Sequence, residues 1–584
     1  MESQIIHRKF IILYVLAALS IWGAAASSSS EDFLECLGFE LQKLDKLYSS
    51  DIFYSSNNAS FTSILQSSAF NLRLGSSSSG LQKPVAIITP LHESQIQASV
   101  YCFKNHNIQL RVRSGGHDFE GLSYVSYDNS SNSFPFAVVD MRNLRSISID
   151  TETNTAWVQT GATLGLLYAT IAQNSKTLGF PAGTCPSVGV GGHFSGGGYG
   201  MMSRAHGLAS DNIIDVVLVD ADARILDRES MGEDHFWATR GGGGASFGII
   251  VAFKIKLVNV PEIVTVFNVS RTLEQNATQL IHKWQYIADK VDENLSLRLF
   301  MTSPKVSDDD INDGGGKKNK KRTVVAHFTS LFLGGVDHLL TIMKETFPEL
   351  GVTNEDCTEM SWIEAMIFFA QLPLNNTTSQ LIDDLSSGTG GSGLSKTYFK
   401  GKSDYVRVPI PEDGLTGIWE YFKNEDGWLG EVQFSPYGGR INDLSETQTP
   451  FPHRAGNIYM IEYGIHWDEA RISESQKHIN WIRRLHNYMA PYVSNSPRAQ
   501  YINYRDLDVG KNNLHGYTSY NQASSWGFKY FKMNFDRLVR VKTKVDPTNF
   551  FRNEQSIPPL PSLQINTFRD HHNNMKEFVQ YANV

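Results

Sequence analysis

Two glycine-flanked segments carry the residues that most constrain how this chain folds. His117 lies in the run Arg113-Ser-Gly-Gly-His-Asp118, and Cys185 lies in Gly183-Thr-Cys-Pro-Ser-Val188, directly before a glycine cluster over 189–200. Glycine has no Cβ, so such a backbone can turn through positive φ, approach a bound group closely and offer N–H groups to phosphates. The segments predict a cofactor cradle; ordinary turns, with a hydrogen-bonded histidine and a small buried cysteine, are the alternative.

The sequence argues against several functional classes. The Gly-x-Gly-x-x-Gly spacing of dinucleotide sites is missing from both segments, and the chain has no Gly-x-x-x-x-Gly-Lys-[Ser/Thr] phosphate loop. Charged residues make up 19% of the chain and the formal charge is −8, so nucleic acid and anionic membranes are not expected partners. With 584 residues, the chain is long enough for two or more domains.

The N-terminus has the pattern of a secretory signal. His7-Arg-Lys9 precedes an apolar run over 10–22, and the small residues 23–27 offer a cleavage site, which predicts a signal peptide over 1–27. A membrane anchor is the alternative, but the apolar run is short for a span. Export suits the seven Asn-x-Ser/Thr sequons, of which the adjacent last two are not expected to be occupied together. They start at Asn58, Asn129, Asn268, Asn276, Asn294, Asn375 and Asn376.

Local patterns predict alternating strands and helices. Residues 85–89 and 109–113 have the composition of strands, and between them Ile96, Val100 and Phe103 mark one face of a helix. Farther along, 323–332 has the pattern of a sheet strand, followed by a helix whose apolar face is Val336, Leu339, Leu340, Met343 and Phe347. A charged, glycine-containing loop is predicted over 307–322, and a polar tail over 566–584.

The two glycine-flanked segments, their order and their flanks resemble the plant berberine bridge enzyme-like family of FAD-linked oxidases. The resemblance runs from about residue 33 to about residue 561 and includes the segments 237–248, 451–456, 503–508 and 545–559. It implies an α+β, vanillyl-alcohol-oxidase/PCMH-type FAD-binding fold with an antiparallel-sheet substrate domain backed by helices. The corresponding boundaries are an FAD-binding domain over 28–258, a substrate domain over 259–490 and a C-terminal return to the FAD-binding domain over 491–565.

The resemblance also assigns the cofactor. It implies FAD bound covalently through His117, to the flavin 8α-methyl carbon, and through Cys185, to flavin C6. An imidazole nitrogen and a thiolate are well suited to add to the electron-poor ring near neutral pH. His193 would lie near the flavin N1–C2 edge as a positive partner of the reduced ring. The full set of expected cofactor contacts is Arg113, Ser114, Gly115, Gly116, Asp118, Gly183, Gly191, Gly192, His193 and Gly197.

Three further residues are catalytic candidates by the same resemblance. Glu462 falls on the position of a catalytic glutamate, with a solvent-facing or arginine-paired strand glutamate as the alternative. Tyr504 is a candidate base, although a tyrosine normally titrates near pH ~10 and would need cationic neighbours or a relay through Glu462. A substrate hydrogen bond is its milder role. Tyr199 resembles a pocket tyrosine of lignin-alcohol oxidising relatives, but Phe119 and Met460 depart from their tyrosine and lysine and count against a monolignol substrate.

Oxygen use and the cysteines complete these expectations. Val188 would leave dioxygen a path to the flavin, with a plain core valine as the alternative. Cys36 and Cys102 resemble the family's disulfide pair, which leaves Cys357 as a free, buried thiol. No metal is expected, and the protein is expected to be a monomer.

The predicted activity is that of an exported, bicovalent FAD oxidase. It would oxidise a phenolic or alkaloid metabolite with release of hydrogen peroxide, with or without oxidative ring closure, in the extracellular space or alternatively the vacuole. An oligosaccharide oxidase is the alternative of the same class. A redox-neutral cyclase and a non-catalytic storage or allergen-like glycoprotein are the alternatives of other classes.

Overall fold

The computed structural model describes residues 30–44, 52–76, 79–130, 133–304, 323–372, 396–423 and 427–561. The predicted signal peptide, the predicted polar tail, the charged loop over 307–322 and the sequons at Asn375 and Asn376 lie outside the described residues. Within the described ranges, no helix has both the length and the apolar character needed to cross a membrane. The same part of the chain has no group of three or more His, Cys, Asp or Glu placed to hold a metal ion.

The N-terminal sheet has four strands in the order β1-β2-β4-β3, with β2 and β3 parallel to β4 and β1 antiparallel to β2. The strands are β1 (Phe53–Ser55), β2 (Ala86–Ile88), β3 (Gln109–Arg113) and β4 (Phe136–Asp140). The helices are α1 (30–44), α2 (Phe61–Ser67), α3 (Leu72–Gly75) and α4 (Glu93–Asn105). The predicted strand over 109–113 is β3, and the predicted helix is α4, whose Ile96, Val100 and Phe103 enter the core.

A second, antiparallel sheet follows in the order β5-β6-β10-β8-β9, beside a two-stranded pair of β7 and β11. The strands are β5 (Ile147–Asp150), β6 (Thr155–Gln159), β7 (Leu178–Gly179), β8 (Ile213–Val219), β9 (Ile225–Leu226), β10 (Ile249–Lys256) and β11 (Val258–Asn259). The helices are α5 (Leu164–Asn174), α6 (Val190–Ser195), α7 (Ser203–His206), α8 (Arg228–Met231) and α9 (Glu233–Thr239). The loop from β7 to α6 contains Cys185.

The third sheet is antiparallel throughout and has seven strands in the order β15-β12-β14-β13-β17-β18-β16. They are β12 (Val264–Thr272), β13 (Leu295–Thr302), β14 (Val325–Phe332), β15 (Cys357–Met360), β16 (Tyr398–Val406), β17 (Gly430–Pro436) and β18 (Tyr459–Trp467). The helices in this part are α10 (Ala277–Ile287), α11 (Val336–Thr346), α12 (Trp362–Phe369), α13 (Glu412–Lys423), α14 (Arg440–Asp443) and α15 (Ser475–Tyr488). The sheet confirms the predicted α+β class.

Strand β18 shows how this sheet presents its two faces. Successive side chains of a strand point to opposite faces. Tyr459, Ile461 and Tyr463 therefore enter the core beneath the covering helices, with Trp284, Trp419 and Trp481 as neighbours. Glu462 and His466 leave the sheet on the other face and line a cavity. The strand thus has an apolar face that stabilises the fold and a polar face that is available for chemistry.

The C-terminal segment, with helices α16 (Tyr520–Phe531) and α17 (Asn534–Val545), is joined to β16 by buried ion pairs. The Lys400 ammonium pairs with Glu120 and, at 2.7 Å, with Asp506, while Lys402 pairs with Asp506 at 2.6 Å. All four side chains are almost fully buried. The pairs hold the segment that contains Tyr504 against the third sheet.

The cysteine predictions have different outcomes. Cys36 on α1 and Cys102 on α4 form a disulfide, as predicted. Cys357 is a free thiol as predicted, but it is half-buried rather than buried, because it lies in β15 at the edge of the third sheet. Only one side of an edge strand is paired, so its side chains have fewer neighbours.

Candidate active site

His117 and Cys185 line one cavity between the glycine segments and the polar face of the third sheet. His117 follows β3 and its ring stacks on Phe70, with 3.9 Å between the ring centroids. The Ser187 hydroxyl lies between the two residues, 3.0 Å from His117 Nε2 and 3.6 Å from Cys185 Sγ. The two residues that the sequence singled out, 68 positions apart in the chain, therefore share a site.

Burial controls the charge of both residues. Both side chains line the cavity and are surrounded mostly by protein, where charged forms are poorly solvated. Desolvation lowers the pKa of His117 to about 3, so its imidazole is neutral. Desolvation also raises the pKa of the Cys185 thiol, although hydrogen bonds from Ser187 oppose the shift. The expected thiolate is therefore not the resting form of Cys185, because burial disfavours it.

A second, adjoining cavity is built from the glycine segments. A Cβ on Gly115 would lie 2.3 Å from the backbone nitrogen of Gly189, and one on Gly116, whose φ is +73°, would lie 1.6 Å from the carbonyl oxygen of Ser68. Both glycines are therefore required for the close packing of these turns. A cavity walled by backbone and glycine fits FAD, whose phosphates accept hydrogen bonds from backbone N–H groups.

Most of the predicted cofactor contacts line one or the other of these cavities. Those lining the glycine-walled cavity are Ser114, Gly115, Gly116, Asp118, Gly191, Gly192 and His193, and Gly183 lines the cavity of Cys185. Arg113 does not line either cavity, because its buried guanidinium pairs with Asp140 at 2.6 Å and donates to the Leu65 carbonyl. Gly197 does not line them either; at φ +124° it packs against the Phe451 ring. Their contacts with the cofactor stay predictions.

His193 is also neutral, contrary to its predicted positive charge. Desolvation lowers its pKa to about 4. Its Nε2 accepts a hydrogen bond of 3.0 Å from the Gly183 N–H, which requires the unprotonated nitrogen. His193 therefore offers the cavity a neutral imidazole rather than a cation.

Glu462 is the strongest candidate base in the site. It lies on the polar face of β18, and its half-buried side chain lines the cavity. Desolvation, with repulsion from Glu431, raises the pKa of Glu462 to about 7, against the lowering effect of a hydrogen bond from Tyr504. A general base works best when its pKa lies near the working pH. The surroundings of Glu462 therefore support catalysis rather than the alternative of a solvent-facing or arginine-paired strand residue.

The two predicted tyrosines form a hydrogen-bonded pair next to Glu462. The Tyr199 and Tyr504 hydroxyls bond to each other, and Gln433 Nε2 donates to Tyr199 over 3.1 Å. Burial and the Glu462 charge raise the pKa of Tyr504 well above 10, and burial raises the pKa of Tyr199 to about 12. Tyr504 is therefore a hydrogen-bond donor to Glu462 near neutral pH and not an independent base.

Sequence reasoning missed several polar and aromatic residues of the cavity, Phe70 and Gln433 among them. His466 and Glu431 form a pair of 3.1 Å, Arg298 lies on β13, and Phe399 packs edge-on against Phe119. Phe119 in turn stacks on Tyr504 with 5.0 Å between the ring centroids. The alternation of polar and apolar residues along β17 could have pointed to Glu431. The face used by each strand depends on sheet register, which the sequence alone does not fix.

Comparisons with known proteins identify this arrangement. A family model described as an FAD binding domain matches residues 84–228, and one described as berberine and berberine like matches residues 500–558. Tetrahydroberberine oxidase of Berberis wilsoniae is 48% identical over 557 residues, which are 95% of this chain and 99% of that protein. The structure of BBE-like #28 from Arabidopsis thaliana has a TM-score of 0.81 and 45% identity, covering 91% of this chain and 100% of that one.

The grass pollen allergen Phl p 4 is also similar in structure. The wild type, described as a glucose dehydrogenase, has a TM-score of 0.80 and 41% identity, covering 91% of this chain and 100% of that one. An isoleucine-to-valine variant of Phl p 4, described as a glucose oxidase, has a TM-score of 0.79 at the same identity and coverage.

The fold and the site define an FAD-linked oxidoreductase with a PCMH-type FAD-binding domain. The chain belongs to the berberine bridge enzyme-like family.

Proposed function

We propose that this protein is an oxidase of a phenolic or alkaloid-type specialised metabolite, with dioxygen as the electron acceptor and hydrogen peroxide as a product. The observation that carries the proposal is the environment of Glu462. This carboxylate, with its pKa raised to about 7, faces the cavity of His117 and Cys185. FAD, tethered covalently through His117 and Cys185, would supply the hydride acceptor when bound.

The side chains of the cavity have different roles in the reaction. Glu462 takes the proton of a substrate hydroxyl as the adjacent or conjugated carbon loses hydride. Tyr504 donates to the Glu462 carboxylate and is held by Tyr199. Aromatic walls from Phe70, Phe119 and Phe399 suit a planar aromatic substrate and exclude water. A substrate with its own nucleophile would close a ring after oxidation.

Oxygen use is supported by Val188. Its side chain borders both cavities, where it is half-buried. Valine is smaller than leucine or isoleucine and leaves more room for dioxygen. In Phl p 4 an exchange of isoleucine for valine accompanies the change from a glucose dehydrogenase to a glucose oxidase. The exchange in Phl p 4 supports the proposal that a valine beside the flavin gives dioxygen access to it.

We also propose that the protein is an exported, monomeric glycoprotein of the extracellular space or the vacuole. The disulfide between Cys36 and Cys102 suits an oxidising compartment. The described sequon asparagines are all exposed and available to carry glycans. They are Asn58, Asn129, Asn268, Asn276 and Asn294.

A carbohydrate oxidase is the second candidate. The glucose activities named for Phl p 4 favour it, as do the polar groups of Arg298, Gln433 and Glu431 in the cavity. Sugar hydroxyls need many hydrogen-bond partners, whereas a flat aromatic needs walls. The three phenylalanines that line the cavity favour the aromatic substrate.

The test is anaerobic reduction of the purified holoprotein. Phenolics, alkaloids and oligosaccharides are added in separate panels while the flavin absorbance is followed. Bleaching by phenolics or alkaloids supports the proposal, and bleaching by sugars alone supports the second candidate. Conversion of a substrate without bleaching or oxygen uptake would point to a redox-neutral cyclase. A yellow, acid-precipitated protein that no panel bleaches would overturn the oxidase activity but leave the covalent flavin standing.

A further inference from the structure

Ser187 occupies a turn that places its hydroxyl between the two proposed flavin tethers. The Val188 N–H donates to the Cys185 carbonyl over 3.3 Å, which closes a four-residue turn with Pro186 at its second position. Proline fixes φ near −65° and favours this position of a turn. The turn brings Ser187 back beside Cys185, with its Oγ 3.6 Å from Sγ and 3.0 Å from His117 Nε2.

One hydroxyl can make only a few hydrogen bonds, and this limit determines which of the groups around Ser187 donates and which accepts. A hydroxyl donates once and accepts up to twice, and a neutral imidazole carries a single N–H. The low pKa of His117 keeps it neutral. When the Nε2–H donates to Ser187, the lone pair of His117 Nδ1 is free to attack. The Ser187 hydrogen is then available to Cys185 Sγ, where it stabilises the thiolate.

We propose that Ser187 is a positioning residue for flavin attachment, which orients the His117 imidazole with Nδ1 as the nucleophile and donates to Cys185 Sγ. The proposal rests on the covalent attachment contained in the proposed function. It explains how a thiol that burial holds in its neutral form becomes reactive: the Ser187 hydrogen bond stabilises the thiolate and works against the desolvation. The same hydroxyl fixes which nitrogen of His117 reacts.

The chemistry balances with dioxygen as the oxidant. Each attachment replaces one C–H bond of the cofactor with a C–N or C–S bond and removes the N–H or S–H hydrogen of the attacking residue. Two electrons and two protons leave for each bond formed, and one dioxygen becomes one hydrogen peroxide. When Nδ1 acquires its carbon substituent, the imidazole gives up the Nε2 proton, which faces Ser187 Oγ.

The test measures linkage at each residue rather than turnover. Ser187→Ala, Ser187→Thr and wild type are produced alike, and peptide mapping by mass spectrometry gives the fraction of His117 and of Cys185 that carries flavin. Ser187→Ala should lose linkage severalfold at both residues while total flavin content stays close to that of wild type. Ser187→Thr keeps the hydroxyl and should restore both linkages. Thr184→Val, which removes the hydroxyl beside Cys185 in sequence, is the matched control.

A pH series separates positioning from a general loss of structure. Incubating Ser187→Ala with FAD at higher pH should recover the Cys185 linkage, since more thiolate forms, but not the His117 linkage, whose defect is the choice of nitrogen. The proposal is overturned if higher pH restores both linkages equally in Ser187→Ala, or restores neither. Wild-type linkage in Ser187→Ala would also overturn it. Absence of covalent flavin in wild type would instead refute the attachment in the proposed function.

Discussion

Gln433 and Glu462 are directly opposite each other on the neighbouring strands β17 and β18. Paired residues of an antiparallel sheet point to the same face, so the register places an amide and a carboxylate side by side in the cavity. Gln433 Nε2 holds Tyr199, and Tyr199 bonds to Tyr504, which donates to Glu462. The register of two strands thus assembles a closed group of polar residues around one carboxylate.

Glu462→Gln should greatly slow the reduction of the flavin by substrate. The amide keeps the shape of the side chain but cannot take a proton, and a positioned general base contributes about 10²–10⁴-fold. Rapid mixing under anaerobic conditions should show that loss in the rate of flavin bleaching, with flavin content unchanged. Glu420→Gln, on an exposed helix position, is the control and should be neutral. A bleaching rate within twofold of the wild-type rate would show that Glu462 is not the base.

The rate of flavin reduction should rise with pH through about 7, because the raised pKa of Glu462 leaves it protonated and inactive below that value. Glu431→Gln removes a repelling charge, so the pKa of Glu462 falls and the pH profile should move to lower pH. Tyr504→Phe removes a hydrogen bond to the carboxylate, so the pKa rises and the profile should move to higher pH. Shifts in the same direction would contradict this account of Glu462.

Val188→Leu should slow the reaction of the reduced enzyme with dioxygen while leaving reduction by substrate nearly unchanged. The longer side chain fills space beside both cavities. Mixing the reduced protein with aerated buffer measures reoxidation, and anaerobic bleaching of the same sample is the internal control. Equal reoxidation rates in variant and wild type would show that dioxygen reaches the flavin by another route.

Local sequence was sufficient for several elements. Gln109–Arg113 forms a strand and Glu93–Asn105 a helix because their apolar residues recur with periods close to two and to 3.6. Within the site, the sequence pointed to His117, Cys185 and Glu462 only because each lies in a long, recognisable segment. The order of the strands in the sheets brings these residues together, and no local sequence pattern reveals that order.

Other features depend on tertiary surroundings that no spacing reveals. Arg113 follows the pattern of a cofactor contact, but Asp140, at the end of the neighbouring parallel strand, pairs with its guanidinium. Desolvation lowers the pKa of His193 and raises the pKa of the Cys185 thiol, so burial extends the pH range over which each residue is neutral. Charge states therefore had to come from the packed structure.

Lys400→Met should be the most destabilising of the substitutions considered. Lys400 lies between Glu120 and Asp506, and removing its charge leaves the carboxylates facing each other in a buried position. Breaking a buried ion pair by removing one partner costs about 3–5 kcal/mol. Denaturant unfolding of the holoprotein should show a loss of that size, whereas Lys423→Met, at an exposed pair, should cost less than about 1 kcal/mol. Equal stability of the two variants would mean that Lys402 or water compensates for the missing charge and that the Lys400 pairs do not hold the Tyr504 segment in place.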